Sequence, residues 1–326
     1  MAVRLIIYKK GSTIPELPGN TLEHSTELFH VYERTRGYSP FLIVAYNGEH
    51  PIAKLLAVVR RSARLFPLSI IKRCEIYRYG EYFDTSLNKE NLFGEMLECL
   101  TQEVLHQVFL IEFRNLNQPL FGYKNFRKNN YFSINRLRVY NSLHSLPPQE
   151  RLSYRRKQQI NKAISRGVIT KPAETREEFE IFFKVLGKTY RSQIKKHFPD
   201  INFFRSLIQQ CSNKEIAKIF LVKYKNKIIG GSFCIYSDNN AYLWFSCGMK
   251  KTYPWLYPGV MAIWSALNYA YEKGYNHFEF IDTGFSLKKL GYRDFILSFG
   301  GKQVSTRRWF RCSWDWLNKL FYLFYR

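Results

Sequence analysis

The chain has 326 residues, 46% hydrophobic and 17% aromatic, which excludes a disordered protein and provides for the cores of two ordinary domains. Its 50 Lys and Arg against 26 Asp and Glu give a formal net charge of +24. That favours anionic partners (nucleic acid, phosphorylated cofactors, an acidic carrier protein or an anionic membrane), although a merely solvated basic surface fits the same number. Residues 3–8 read as a short apolar strand, without the length or cleavage site of a signal peptide. Residues 26–35 read as a helix with Leu28, Val31 and Tyr32 on one face. The apolar run 41–46 turns at Asn47-Gly48 and returns through Ile52 to Val59, a strong hairpin signal. Residues 88–107 read as a helix that Asn88 can cap, with Leu92, Met96, Leu100 and Val104 at helical spacing. Strands are expected at 108–113 and 131–140.

Pro147-Pro148 marks a boundary, and residues 149–166 read as a strongly basic helix ended by Gly167 that connects two domains. So many positive charges on one helix make either a clamp for phosphate or carboxylate, or a solvated linker. Helices are expected at 175–193 and 201–211, then strands at 216–224, 227–236 and 241–247. A helix at 257–273 is closed by Gly274; a strand at 276–282, a loop or short helix to Leu290 and a last strand from Lys302 follow. The tail, 308–326, alternates aromatic and aliphatic residues with Arg and Lys, and is expected to dock as a core-covering helix or to lie on a membrane surface. No run reaches the roughly 18 apolar residues of a spanning helix. Cys74, Cys99, Cys211, Cys234, Cys247 and Cys312 include no Cys-x-x-Cys pair, and the histidines lack ligand spacing, so neither a disulfide framework nor a bound metal is expected.

Gly122-Tyr123-Lys124-Asn125-Phe126 has a near-copy in Gly291-Tyr292-Arg293-Asp294-Phe295. Upstream of each lies an acidic, aromatic strand, Phe109-Leu110-Ile111-Glu112-Phe113 in one half and Phe278-Glu279-Phe280-Ile281-Asp282 in the other. Further upstream, each half has a hairpin signal, the second turning at Asn226-Lys227. Three landmarks in the same order argue for a duplicated domain, with a cleft between related halves where ligands often sit. The expected division is an N-terminal domain at 1–147, a basic connector at 148–167, a C-terminal domain at 168–310 and an aromatic, basic tail at 311–326.

This order of elements resembles the GCN5-related N-acetyltransferase (GNAT) fold, and a tandem pair joined by a helix resembles its FemAB-type branch. That branch includes peptidoglycan-bridge aminoacyltransferases and BioF2-like acetyltransferases. The resemblance rests on the basic stretch from Arg156 to Gly167, on Trp244, Tyr257-Pro258-Gly259 and Trp264, on the run from Phe278 to Gly284, and on Gly291, Phe295 and Phe299-Gly300. It covers about residues 150–305 and is weak before them. It implies an α/β fold with mixed sheets in two tandem GNAT-like domains.

Proteins of this fold seat the donor's phosphates where a splayed strand pair meets the next helix, because backbone N–H groups and the helix dipole favour anions there. The resemblance therefore assigns donor binding to Tyr257, Pro258, Gly259 and Val260, with Lys250, Lys251 and Lys288 near the phosphates. An ordinary turn accounts for Pro258-Gly259 as well. The usual Arg/Gln-x-x-Gly-x-Gly/Ala phosphate loop is absent, and Ile296 stands where aminoacyltransferases of the group often carry Lys. The implied donor is acyl-coenzyme A or an acyl-carrier protein, ahead of aminoacyl-tRNA, with no metal.

Acyl transfer to an amine needs a base and donors for the oxyanion. Asp282 is the candidate catalytic base, or else a cap for the following turn. Arg155, Arg156, Lys162, Trp244 and Phe295 are the expected acceptor-binding residues, and strand alternation puts Glu279 on an exposed face. The implied function is transfer of an acyl or aminoacyl group from a thioester or ester to an amine of a cell-envelope precursor, anionic or lipid-linked. It would act in the bacterial cytoplasm or at the inner face of the membrane. The alternative is a non-catalytic RNA- or anion-binding protein on a degenerate GNAT scaffold.

Overall fold

In the computed structural model the described residues are 3–61, 71–84, 86–114, 116–193, 199–211, 216–281, 283–284 and 291–325. β1 (Arg4–Lys9) is followed by α1 (Thr26–Arg34), whose first turn is capped by Ser25 accepting from Leu28 N–H at 3.1 Å. β2 (Tyr38–Asn47) and β3 (His50–Arg61) form the expected hairpin, but the turn sits one residue later than Asn47-Gly48 suggests. Asn47 pairs with His50, so Gly48 and Glu49 are the central residues, and only Gly48 has positive φ, at 62°. That suits a turn with glycine first. β4 (Lys72–Tyr77), β5 (Glu81–Tyr82), α2 (Lys89–Val104), β6 (Leu110–Arg114), α3 (Tyr123–Lys128) and β7 (Phe132–Ser142) complete the first repeat.

The expected single helix at 149–166 is two helices, α4 (Pro148–Arg151) and α5 (Tyr154–Ser165). Leu152 and Ser153 between them are extended, because Leu152 turns into the core while Ser153 starts α5. The second repeat continues with β8 (Ile169–Pro172), α6 (Arg176–Gln193), α7 (Ile201–Cys211), β9 (Ala217–Tyr224) and β10 (Lys227–Ser237). After these come β11 (Asn240–Gly248), α8 (Pro258–Glu272), β12 (His277–Phe280), α9 (Gly291–Leu297), β13 (Lys302–Cys312) and α10 (Asp315–Phe324). The start of the tail is thus strand, and helix begins only at Asp315. β4, β5 and β8 are additional to the expected elements.

The two halves run the same course. In each, an edge strand and one helix (two, α6 and α7, in the second) lead to three antiparallel strands, a helix, a strand parallel to the third, a short helix and a closing strand, with β5 an addition of the first. The paired pentapeptides open α3 and α9, equivalent elements. The chain divides into two compact units, each discontinuous in sequence. Unit 1 is Met1–Arg136, Pro199–Gln210 and Thr306–Arg326; unit 2 is Leu137–Phe198 and Cys211–Ser305. The basic helix α5 therefore belongs to unit 2, and the tail to unit 1.

The closing strands are exchanged. β6 in unit 1 pairs antiparallel with β13, from Leu110↔Cys312 to Phe113↔Trp309. β12 in unit 2 pairs antiparallel with β7, from His277↔Ser142 to Phe280↔Val139. Each sheet is completed by the strand that follows the other repeat in sequence. Each exchange carries the same ion pair. Glu112 lies opposite Phe310, and Arg308, two residues earlier on β13, donates to it at 2.9 Å. Glu279 lies opposite Tyr140, and Arg138, two residues earlier on β7, meets it at 3.4 Å. Glu279 is only 6% exposed, which corrects the expectation of an open face: the exchanged strand supplies the arginine that buries it.

Apolar cores lie on the other faces. In unit 1, α2 turns Phe93, Met96, Leu97 and Leu100 toward Ile111, Phe113 and Trp309. In unit 2, α8 turns Met261, Ile263, Ala266 and Leu267 toward Phe278, Phe280 and Leu243.

Candidate active site

β11 and β12 are parallel partners only from Asn240↔His277 to Leu243↔Phe280. β11 then runs on to Gly248, without that partner among the described residues. Its register against β10 shifts, with Leu243 opposite Cys234 and Phe245 opposite Phe233, so Trp244 is a bulged extra residue. A bulge bends the strand and disrupts the ladder locally. Beyond β12 the chain bonds toward β7: the Thr283 hydroxyl donates to the Leu137 carbonyl, and Leu137 N–H donates to the Gly284 carbonyl at 3.3 Å. The two parallel strands therefore part after Leu243. The counterpart pair in unit 1, β4 and β6, stays in register along the whole of β6, to Tyr77↔Arg114.

The N-terminus of α8 faces the end of β11. Tyr257 is held in the left-handed region (φ 48°, ψ 45°), and Pro258, pre-set for a helix, takes the first position. The Tyr257 carbonyl accepts from Val260 N–H at 2.9 Å and Met261 N–H at 3.0 Å. The Tyr257 side chain makes no capping bond to the first turn, and no acidic residue stands in that turn. Two glycines let the strand end touch the helix. A Cβ on Gly248 would lie 2.4 Å from the Gly259 nitrogen, and one on Gly230 would lie 2.7 Å from the Cys247 carbonyl and 3.3 Å from Pro258 Cβ. Gly259 itself has open space where a side chain would go. The arrangement is a positively polarised helix end, uncapped and free of side-chain bulk, beside a strand that has left its partner.

The equivalent helix of unit 1 lacks this property. Asn88 caps α2, its side-chain oxygen accepting from Glu90 N–H at 3.0 Å and Asn91 N–H at 3.1 Å, and Glu90 adds negative charge in the first turn. Those amides are already occupied.

The structure brings Tyr257, Pro258, Gly259 and Val260 together with the end of β11 at Gly248, while Trp244, at the bulge in mid-strand, is half-buried beside Phe233 at 6.2 Å between centroids. Lys250 and Lys251 are exposed in the turn directly after β11, and Lys250 N–H donates to the Gly248 carbonyl at 2.8 Å. Asp282 and Lys288 lie outside the described residues. The residues expected on the acceptor side separate. Arg156 is buried: Nε donates to Ser298 Oγ at 2.7 Å, Nη1 donates to Gln159, and the guanidinium lies 4.3 Å from the centre of the Phe295 ring and 5.4 Å from that of Phe299. Burial, and next the neighbouring Arg155, hold its pKa below the usual arginine value. Arg156 and Phe295 thus clamp α5 to α9, while Arg155 and Lys162 are exposed on the outer side of α5.

One residue near the helix start went unread in the sequence. Trp255, in the short turn Pro254–Leu256 before α8, is 69% exposed, and its carbonyl accepts from Arg166 Nη1 at 2.6 Å. A tryptophan among the polar and turn-forming residues that precede Pro258 was the available signal. Among the described residues, no group of three or more His, Cys, Asp or Glu side chains is placed to hold a metal ion.

Residues 150–289 match the model of the acetyltransferase (GNAT) domain family. No curated protein sequence matches the chain. Among solved structures, FemX is 12% identical over 94% of this chain and 95% of its own, with a TM-score of 0.65. A domain assigned as the C-terminal part of a lysylphosphatidylglycerol synthetase of Agrobacterium fabrum is 9% identical, covers 83% of this chain and 84% of its own, and scores 0.57. A tandem GNAT protein from the clavulanic acid biosynthesis pathway is 8% identical, covers 96% of this chain and 99% of its own, and scores 0.55. At such identities the likeness is one of fold. Residues 150–289, which hold the splayed strands and the open helix end, match the GNAT acetyltransferase domain family, and the chain as a whole shares its fold with FemX and with a tandem GNAT protein.

Proposed function

We propose that the domain at 150–289 is an N-acyltransferase that moves an acyl group from a thioester, on coenzyme A or an acyl-carrier protein, to an amine. The observation that carries this reading is the uncapped N-terminus of α8 at the point where β11 leaves β12. An anionic phosphate chain fits such a helix end, with Lys250 and Lys251 adding positive charge. The backbone N–H groups of β11 beyond Leu243 offer donors for the oxyanion that forms when the amine attacks the thioester carbonyl. The C–N bond forms, the C–S bond breaks, the sulfur leaves as the thiol and the amine loses a proton. Asp282 is the residue assigned to that proton in this reading, and Lys288 a further donor-side cation.

The acceptor is an amine on an anionic or lipid-linked cell-envelope precursor. The net charge of +24 and the exposed Arg155 and Lys162 support that choice. The neighbour assigned as a lysylphosphatidylglycerol synthetase is a fold relative whose name concerns a lipid.

The test is thiol release from a panel of acyl thioesters by the whole chain, with Gly259→Asp as the variant. A Cβ at 259 meets no atom, and an aspartate in the first turn suits a helix, so folding should hold. The same charge repels an anionic donor, so the donor KM should rise about tenfold or more. Thiol release from none of the thioesters, together with tight RNA binding, would replace this reading by the nucleic-acid one. An unaltered KM would remove α8 from the donor site.

A further inference from the structure

We infer that the outer face of α10 seats in the interfacial layer of an anionic lipid bilayer. This rests on unit 1 alone and not on the acyltransferase reading. α10 has two apolar sides. Its inner side is docked: Leu317, Phe321 and Tyr322 pack on Phe132, Phe310 and Cys312. Asn318, 3% exposed, fixes the register, its Oδ1 accepting from Cys312 N–H at 2.9 Å and its Nδ2 donating to the Asn130 carbonyl at 2.8 Å. The helix is therefore not a loosely attached tail whose exposed face is incidental.

The outer side carries Trp316 (65% exposed), Leu320 (41%), Leu323 (71%) and Phe324 (74%). Spacings of four, three and one residues bring these onto one arc of the helix. No charged side chain interrupts that arc; Lys319 lies at its edge. Trp314, 55% exposed, extends the patch, its ring 6.1 Å from that of Trp316. Five large apolar side chains in a row need a cover.

Charge chooses the cover. Lys319 is exposed at the edge of the arc, and Lys128 and Arg311 line a groove of about 660 Å³ that Trp314 also borders, with His106, Asn129 and Asn130. Asp315 is engaged by Arg311 at 3.3 Å, and Lys128 meets Glu98 only at 3.9 Å. The chain as a whole carries +24, so a second copy brought to this face would meet net repulsion. An anionic bilayer supplies both complements: phosphates for the lysines, and the interface where tryptophan rings settle. No described helix is long and apolar enough to cross a membrane, so the contact lies in the interface plane.

The experiment is sedimentation of the full chain with sucrose-loaded vesicles, of phosphatidylcholine alone and of phosphatidylcholine mixed with phosphatidylglycerol. Partition should be stronger by about tenfold or more on the anionic vesicles, and should fall as salt is raised. Leu320→Ser with Leu323→Ser should lose about tenfold in partition, with an unchanged melting profile because neither side chain is in the docked face. A second variant, Trp314→Phe with Trp316→Phe, keeps the face apolar and folded and removes its reporters. Brominated phosphatidylglycerol should quench the fluorescence of the unmodified chain clearly more than that of this variant. Equal quenching, absence of binding to anionic vesicles, or undiminished binding of the serine variant would overturn the inference. A dimer in solution that the serine variant turns into a monomer, without vesicle binding, would assign the face to self-association instead.

Discussion

His24 shows how a single side chain ties stability to pH. It is fully buried, with Leu56 N–H pointing at Nδ1 and Gly80 N–H at Nε2, each at 3.1 Å. A neutral imidazole has one acceptor nitrogen and takes one of these bonds; an imidazolium would set donor against donor at both. Burial first, then Arg78 and Lys54, push its pKa well below the ordinary histidine value. The unfolded chain therefore takes up a proton near the usual value of about 6.5 while the folded chain does not. Stability is full above that pH and falls as pH drops below it, by up to about 1.4 kcal/mol per pH unit for this group. Denaturant unfolding between about pH 5 and 6.5 should show the fall, and His24→Gln should flatten it. His277 is shifted the same way, by burial first, so a residual slope should remain. Glu75 acts lower down: burial pushes its pKa up, but Arg114 and Arg60 outweigh it and hold the carboxyl well below the usual carboxylate range, so its contribution is lost only in stronger acid. A variant slope equal to the parent's would sink the assignment to His24.

At the scale of elements, α5 divides its charges between two tasks. Arg156 faces inward onto Phe295 and Ser298, while Arg155 and Lys162 face solvent. Arg156→Gln should lower stability by about 1–3 kcal/mol through the lost stacking and hydrogen bond. Arg155→Gln with Lys162→Gln should leave stability within about 0.5 kcal/mol and weaken binding of an anionic acceptor. Paired measurements of unfolding and acceptor affinity check this, and the opposite pattern would reverse the roles. The basic character of the helix was legible from its composition. Which arginine it buries was not, because that depends on where α9 lands, and α9 lies more than a hundred residues away in sequence. The break at Leu152–Ser153 has the same origin, a demand for Leu152 in the core.

For the whole molecule, the duplicated course ends in two unequal units. One has a capped helix beside strands that stay paired; the other has an open helix beside strands that part. Amide hydrogen exchange with and without acetyl-coenzyme A should show protection at Tyr257–Met261 and none at the start of α2. Protection at α2 alone would place the donor in unit 1. The sequence by itself determined the elements that depend on near neighbours: the helices with their periodic apolar faces, the hairpin turns, the order of landmarks and so the duplication. It also held the asymmetry in outline, since Asn88 precedes one helix and Pro258-Gly259 opens the other. What only the tertiary structure decided is which strand closes which sheet. β7 and β13 carry similar alternation, and nothing local distinguishes pairing with the preceding strand from pairing with its counterpart. The exchange is set by packing summed over distant residues, such as Trp309 stacked on Phe126 at 4.7 Å, and by the Arg308–Glu112 and Arg138–Glu279 pairs it creates. The burial of Glu279 and the parting of β11 from β12 follow from that long-range pairing, and sheet register is a property that no short stretch of chain contains.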